Sequence, residues 1–305
     1  MKEIYLELEK IVPSQNIKYD EPMKLHTTTK VGGNVECFVE PSNVNEIRNI
    51  INFAKENGIP YYVIGHGSNL LVVDEGLEGI VIKIGNLFSN VEIEGTVIKA
   101  NAGCAIPRLS QMAKNNSLSG LEFACGIPGT VGGAIRMNAG AYGGEMVNIV
   151  DKVGYLNEKG EIVEISNDEC EFSYRHSMFV EHPEYVILYA VLNMNEGNKE
   201  EIEAKMNENM ESRKAKQPIE YPNFGSVFKR PTQECVFVGK MVEELGLKGY
   251  QIGGAQVSTK HSGFIINAGE ATCKDVIDLI EYVKNKVYEK YGVMLQEEVV
   301  ILGGK

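Results

Sequence analysis

The sequence has no cysteine pairs to build on. Cys37, Cys104, Cys125, Cys170, Cys235 and Cys273 lie far apart, with no C-x-x-C spacing and no clustering with the five histidines. That distribution argues against both a structural zinc site and a disulfide framework. Long apolar runs are missing as well. The longest, YVILYAVL at residues 185–192, is well short of the roughly 18 residues of a membrane span. The opening MKEIYLELEK alternates charge with apolar residues and lacks the continuous apolar segment of a signal peptide. The expectation is a soluble, cytoplasmic chain with reduced thiols and no metal. Basic residues are also in deficit: 30 Lys and Arg against 42 Asp and Glu give a formal charge of -12, which excludes general electrostatic attachment to nucleic acid or to an anionic membrane. An anionic substrate therefore needs a local basic patch. No internal repeat or low-complexity tract interrupts the 305 residues, which are enough for two or three domains.

What is present reads as α+β. Ser42 or Asn43 can cap a helix whose Val44, Ile47, Ile51 and Ala54 form an apolar stripe ended by Gly58. A strand, YYVIG, comes next, and residues 70–100 alternate short β-rich runs with Gly and Asn turns, as a meander would. A short helix is expected between Ile106 and Asn116, and then strands KVGYLN, EIVEI and YVILYAVLNM. The charged segment 198–216 carries Ile202, Met206 and Met210 at helical spacing, and the turn-rich QPIEYPNFGS comes after it. A domain boundary is expected near residue 200. The last third holds KMVEELGLKG, the strand HSGFIIN, and a helix with a T-x-x-D cap at Thr272 and Asp275, a stripe of Ile277, Ile280, Val283 and Val287, and Gly292 as its stop. The strand EEVVIL comes last.

Two glycine runs carry chemistry. In GHGSNLLV, residues 65–72, Gly65 and Gly67 can open a tight turn whose amides face a phosphate. A dinucleotide fingerprint fails here, because Leu70 stands in place of the third glycine and the residues after it are β-prone. On spacing alone the run reads as a plain strand-turn-strand with an Asn. The second run, GIPGTVGGAIRMNAGAYGG at residues 126–144, lets main chain approach a bulky ligand closely and supplies unblocked amide donors for a pyrophosphate or flat ring. An irregular crossover fits it as well.

Taken together, in this order and about 60 residues apart, the two runs resemble the FAD-binding domain of vanillyl-alcohol-oxidase and p-cresol-methylhydroxylase flavoproteins. Within that group, P-G-T-V-G-G-A followed by M-N-A-G-A-Y-G resembles the UDP-N-acetylenolpyruvoylglucosamine reductase (MurB) family. The resemblance covers roughly residues 20–302 and implies a two-part FAD-binding domain plus a C-terminal α+β substrate-binding domain. It places the parts at 1–72 with 294–305, at 73–198 and at 199–293. The flavin contacts it implies are Gly65, His66, Gly67, Ser68, Asn69, Leu70, Gly126, Pro128, Gly129, Thr130, Gly132, Gly133, Asn138, Ala139 and Gly140. Arg136 departs from the aliphatic or aromatic residue of the family, and Phe224 from a small one.

The same resemblance implies the reaction: reduction of UDP-N-acetylenolpyruvoylglucosamine to UDP-N-acetylmuramate, with non-covalent FAD and with NADPH as electron donor. In FSYRHSMF the family's Tyr-Arg pair falls on Tyr174 and Arg175; read alone, such an Arg is a structural ion pair. A guanidinium held on the enolpyruvyl carboxylate would stabilise charge as hydride arrives on the alkene. NFGSVFKRP puts Ser226 in the role of proton donor, where otherwise a Gly-Ser turn would be read. LQEEVVIL gives Glu298, chosen over Glu297 by its place before Val299, since neighbours on a strand face opposite ways. Lys216, Lys229, Arg230 and Lys248 are candidate phosphate or uridine contacts, and His261 and Asn267 weaker ones. The stretch from Tyr174 to Leu192 has little room for the inserted tyrosine loop of some members, so the chain resembles the shorter subtype. A monomer or weak oligomer is expected. Two other readings stay open: an oxidase of the same flavin-binding group, with His66 as a covalent attachment point, and a nucleotide-sugar-binding flavoprotein without turnover.

Overall fold

A computed structural model describes residues 3–231 and 237–304; Cys235 lies outside them. The chain forms two compact units. The first comprises the residues to Tyr19, Cys37–His66 and Gly79–Ser212, and the second Asp20–Glu36, Gly67–Glu78 and the residues from Arg213 onward. Each has its own apolar core, so each buries its hydrophobic faces independently. The sequence places the cuts instead near 72, 198 and 293. Part of the difference is local: the crossing near residue 200 falls inside a helix, between Ser212 and Arg213.

The first unit is organised by a five-stranded antiparallel sheet, in the order Ile162–Ser166, Val150–Leu156, Val186–Asn193, Val97–Asn101, Val91–Glu94. Val186, Leu188, Ala190 and Leu192 of its central strand are all buried, as the period of two requires for a strand covered on one face. Helix α1, Val44–Glu56, begins where the Asn43 side chain accepts the Glu46 N–H and ends before Gly58 at φ 62. Its buried stripe is Ile47, Ile50, Ile51 and Ala54. Helix α2 is Ile106–Asn115, and helix α3, Val131–Arg136, lies within the second glycine run. A one-turn helix α4, Met178–Glu181, precedes the central strand. Helix α5, Lys199–Lys216, buries Ile202 and Met206 as its spacing predicts, together with Asn209, whose amide donates to the Glu122 carbonyl at 2.9 Å.

In the second unit a four-stranded antiparallel sheet runs Asn223–Ser226, Phe264–Asn267, Ala255–Val257, Gln251–Ile252. Helix α6, Val238–Glu244, and helix α7, Cys273–Tyr291, contribute Met241, Val242, Val276, Leu279, Ile280, Val283 and Val287 to the same core. The T-x-x-D signal forms a full capping box at Thr272 and Asp275, and Gly292 ends α7 at φ 68. Strand Val300–Leu302 pairs in parallel with Leu70–Val72. Two expectations are corrected. The last strand is shorter than EEVVIL, because residues 297 and 298 bond to the segment after Ser226 instead. Residues 223–226, read as turn, form an edge strand whose pairing is interrupted between Asn223 and Ser226.

Candidate active site

The loop after strand Tyr61–Ile64 is shaped by two glycines with no alternative. A Cβ on Gly65 would lie 2.4 Å from Thr130 Oγ1, so the two glycine runs touch here, inside the first unit. Gly67 sits at φ 64, and a Cβ there would lie 2.1 Å from the His26 carbonyl oxygen. Its neighbours are held open: the N–H groups of Gly67, Ser68 and Asn69 donate to none of the described residues. Consecutive undonated amides beside a glycine in the left-handed region form the kind of concavity that takes a phosphate oxygen. Asn69 ties this loop down, its side-chain amide donating to the Glu298 carbonyl at 2.9 Å and its own carbonyl accepting the Val300 N–H at 3.0 Å. Burial, followed by the Lys83 charge, pushes the His66 pKa below its ordinary value, which keeps the ring neutral.

Part of the second run, residues 131–133, does not supply the open amides expected of it. Thr130 caps α3 by accepting the Gly133 N–H at 3.4 Å, while the Val131 and Gly132 N–H groups donate to the Cys104 and Ala102 carbonyls, each at 2.9 Å. These donors are consumed inside the protein. What the run offers a ligand is close approach: Gly126, Gly132, Ala139 and Gly140 are half-buried, Pro128 and Gly133 exposed, and Gly129 covered.

Asn138 is 1 % exposed and has φ 40. Its side chain donates to Glu145 Oε2 at 2.8 Å and to the Ser173 carbonyl at 3.0 Å, and accepts the Val147 N–H at 3.0 Å. Its polar atoms are therefore spent on holding the next loop. That loop is a two-residue hairpin: Ser173 and His176 exchange backbone hydrogen bonds at 3.1 and 3.2 Å, with Tyr174 and Arg175 at the tip. Arg175 takes φ 56, a conformation that costs a side-chain-bearing residue on the order of 1 kcal/mol and so is maintained by its surroundings. Its guanidinium lies over the Tyr174 ring, 5.3 Å from the centroid, and reaches the Gly140 carbonyl at 3.4 Å. Arg136, the departure from an aliphatic or aromatic residue, is the last residue of α3. Its guanidinium donates to the Phe179 and Val180 carbonyls, its own carbonyl accepts Ser177 Oγ at 2.8 Å, and burial pushes its pKa down.

Ser226, Glu298 and Asn69 belong to the second unit, and main-chain bonds bring them together. Val227 donates to the Gly263 carbonyl at 3.0 Å and accepts the Glu298 N–H at 2.8 Å, and Lys229 donates to the Gln296 carbonyl at 2.8 Å. Ser226 is exposed at the strand edge, opposite Phe264. Phe224, the departure from a small residue, is 3 % exposed and points into the core, leaving the serine face clear. Glu297 is bound to Lys284 Nζ at 2.6 Å. Burial raises the Glu297 pKa, but the Lys284 hydrogen bond and charge outweigh it and hold the carboxyl below its ordinary value.

The cations are unequal. Lys229 is half-buried and Arg230 exposed, both on the segment of Ser226; Lys216 is exposed at the end of α5. Lys248 is paired with Glu243 at 2.7 Å, so its charge is already balanced. His261 Nδ1 accepts the Gly263 N–H at 3.1 Å, and burial lowers its pKa. Asn267 donates to the Thr29 carbonyl at 3.0 Å. Sequence reasoning missed Thr28 and Asn223. The Asn-x-Gly spacing of Asn223 and Gly225 was an available signal for a side-chain turn; Thr28, in a run of threonines, gave none.

Residues 35–166 match the model of an FAD-binding domain. At the level of fold alone, 65 % of the chain superposes on 45 % of a glucose dehydrogenase, wild-type Phl p 4.0202, with 15 % identity and a TM-score of 0.51. The chain is thus an α+β flavoprotein of the FAD-binding class. Residues 217–302 match the C-terminal domain of UDP-N-acetylenolpyruvoylglucosamine reductase. Curated reductases of that name are similar over the whole length: 47 % identity in Caldanaerobacter subterraneus subsp. tengcongensis, covering 100 % of both chains, and 46 % in Clostridioides difficile, covering 99 % of this chain and 98 % of that one. The crystal structure of the enzyme from Thermus caldophilus superposes with a TM-score of 0.79 at 33 % identity, over 94 % of this chain and 98 % of that one. The chain belongs to the UDP-N-acetylenolpyruvoylglucosamine reductase family and is a flavin-dependent oxidoreductase.

Proposed function

We propose that the chain reduces the enolpyruvyl ether of UDP-N-acetylenolpyruvoylglucosamine to UDP-N-acetylmuramate, with NADPH as electron donor. The observation that carries the reading is the hydrogen-bonded set of Asn69, Val227 and Glu298, which joins the open loop amides to the segment of Ser226. The residues present fit FAD: Gly67, Ser68 and Asn69 offer amides to its pyrophosphate. When bound, FAD would supply the hydride for the terminal alkene carbon. Arg175, fixed by its hairpin, binds the substrate carboxylate and stabilises charge on the adjacent carbon. Ser226 delivers a proton to that carbon, and Glu298, whose neighbour is occupied by Lys284, supports the enolic form. Lys216, Lys229 and Arg230 hold the nucleotide diphosphate, with Tyr174 at its edge. His66 is a non-covalent flavin contact, and His261 holds the turn beside Ser226. Among the described residues Cys37, Cys104, Cys125, Cys170 and Cys273 form no disulfide, and the site of action is read as cytoplasmic. No helix among them is long and apolar enough to cross a membrane.

The test is anaerobic. NADPH should bleach the flavin band of the purified protein, and the enolpyruvyl nucleotide should restore it. Flavin that stays reduced after that addition sinks the reading.

A further inference from the structure

The segment around Thr28 touches two parts of the candidate site inside the second unit. The Thr28 N–H donates to the Gly67 carbonyl at 3.2 Å, and its hydroxyl donates to the Asn223 carbonyl at 2.7 Å, 195 positions along the chain. Asn223 in turn sets the backbone before the serine. Its Oδ1 accepts the Gly225 N–H at 2.9 Å, and its amide donates to the Tyr221 carbonyl at 2.8 Å and the Pro218 carbonyl at 3.2 Å. Gly225 sits at φ 86, in the left-handed region, immediately before Ser226. The strand is irregular between Asn223 and Ser226, so sheet pairing alone does not fix this stretch. The remaining contacts of the segment pull the same way: Asn267 donates to the Thr29 carbonyl at 3.0 Å, and the Asn267 N–H to the Pro222 carbonyl at 2.9 Å.

We infer that Thr28 is a positioning residue for Ser226: one side-chain hydrogen bond and one backbone hydrogen bond set the serine segment at a fixed register from the Gly67 loop. The acceptor is a carbonyl, and among side chains of this size only a hydroxyl is a strong donor to it. Valine keeps the shape and removes the bond; serine keeps the bond and removes the methyl. The inference rests on the reading of Ser226 as proton donor, so it concerns the half-reaction with substrate and not the reduction of flavin.

The experiment measures both half-reactions anaerobically by stopped flow on FAD-loaded protein. Thr28→Val should be reduced by NADPH within about twofold of the wild-type rate, and its reduced flavin should be reoxidised by the enolpyruvyl nucleotide about tenfold more slowly, as expected for a misaligned proton donor. Thr28→Ser should recover most of that loss. If the valine variant does not fold, Asn223→Ala, which cuts the same relay one step nearer the serine, should show the same asymmetry. Equal slowing of both halves in Thr28→Val, failure of serine to rescue, or wild-type reoxidation in Thr28→Val while Ser226→Ala is slow would overturn the inference. Normal reoxidation in Ser226→Ala would remove the serine reading and the inference with it.

Discussion

A serine hydroxyl is a weak acid, and Ser226 becomes useful only through placement. Its strand edge is exposed, its neighbour Val227 is buried, and its preceding glycine is held at φ 86 by an asparagine side chain. Ser226→Ala should leave reduction by NADPH nearly intact and slow reoxidation by the enolpyruvyl nucleotide at least a hundredfold, the lower end of what a positioned proton donor contributes; single-turnover absorbance at the flavin band reads both. The histidines give a stability prediction. Burial holds His261 below its unfolded value of 6.5. Between the folded and unfolded pKa values the unfolded chain binds more protons, so stability rises with pH there and is lost as pH falls below about 6.5. His66 is shifted the same way, also by burial first. Urea midpoints at pH 7.5 and 5.5 should therefore diverge less in His261→Gln than in the wild type; an unchanged difference would show that folding does not lower the His261 pKa. Residue types at this scale were legible in the sequence, and their partners were not. Glu298 and Glu297 are adjacent and alike; the sequence favours Glu298 by its place before Val299, and the structure adds that Glu297 is held by Lys284 at 2.6 Å.

Among the elements, helix α7 shows how far a local signal reaches. Thr272, Asp275 and Gly292 mark its ends in the sequence, and the structure uses all three. A further anchor is remote. The Asp74 carboxylate accepts the Cys273 N–H at 2.7 Å and the Lys274 N–H at 2.9 Å, satisfying two first-turn donors from a residue just beyond strand Leu70–Val72. Asp74→Ala should cost about 1 kcal/mol of stability, as loss of an N-terminal cap does, read as a lower urea midpoint with an unchanged slope. A neutral result would mean that the capping box alone suffices. Helix α3 is the opposite case: a run of glycines argues against a helix on propensity, yet Thr130 caps it and the amides of residues 131–133 all find acceptors. That packing decided the local structure, and it consumes the amide donors of residues 131–133 inside the protein.

At the scale of the whole molecule, two separate cores mean that cofactor and fold are linked by binding and not by a shared interior. A ligand that binds only the native state stabilises it in proportion to the logarithm of its free concentration, so each tenfold excess of FAD beyond its dissociation constant should add about 1.4 kcal/mol. Protein stripped of FAD should unfold at lower temperature in calorimetry, and added FAD should raise the midpoint steadily; a midpoint indifferent to FAD would contradict native-state binding. The order of the glycine runs, the apolar periodicities of α1, α5 and α7, and the Tyr-Arg, Gly-Ser and Glu-Val motifs were all readable in the chain, because local conformation and family likeness depend on residue type and spacing. Through them the sequence by itself determined the α+β class, the flavin and the family. Only the tertiary structure decided which amides stay open, that Glu297 is paired with Lys284, and that Thr28 and Asn69 bond to residues 195 and 229 positions away. Those choices are made by hydrogen-bond partners that the chain brings together only on folding, and no spacing rule acts over such separations.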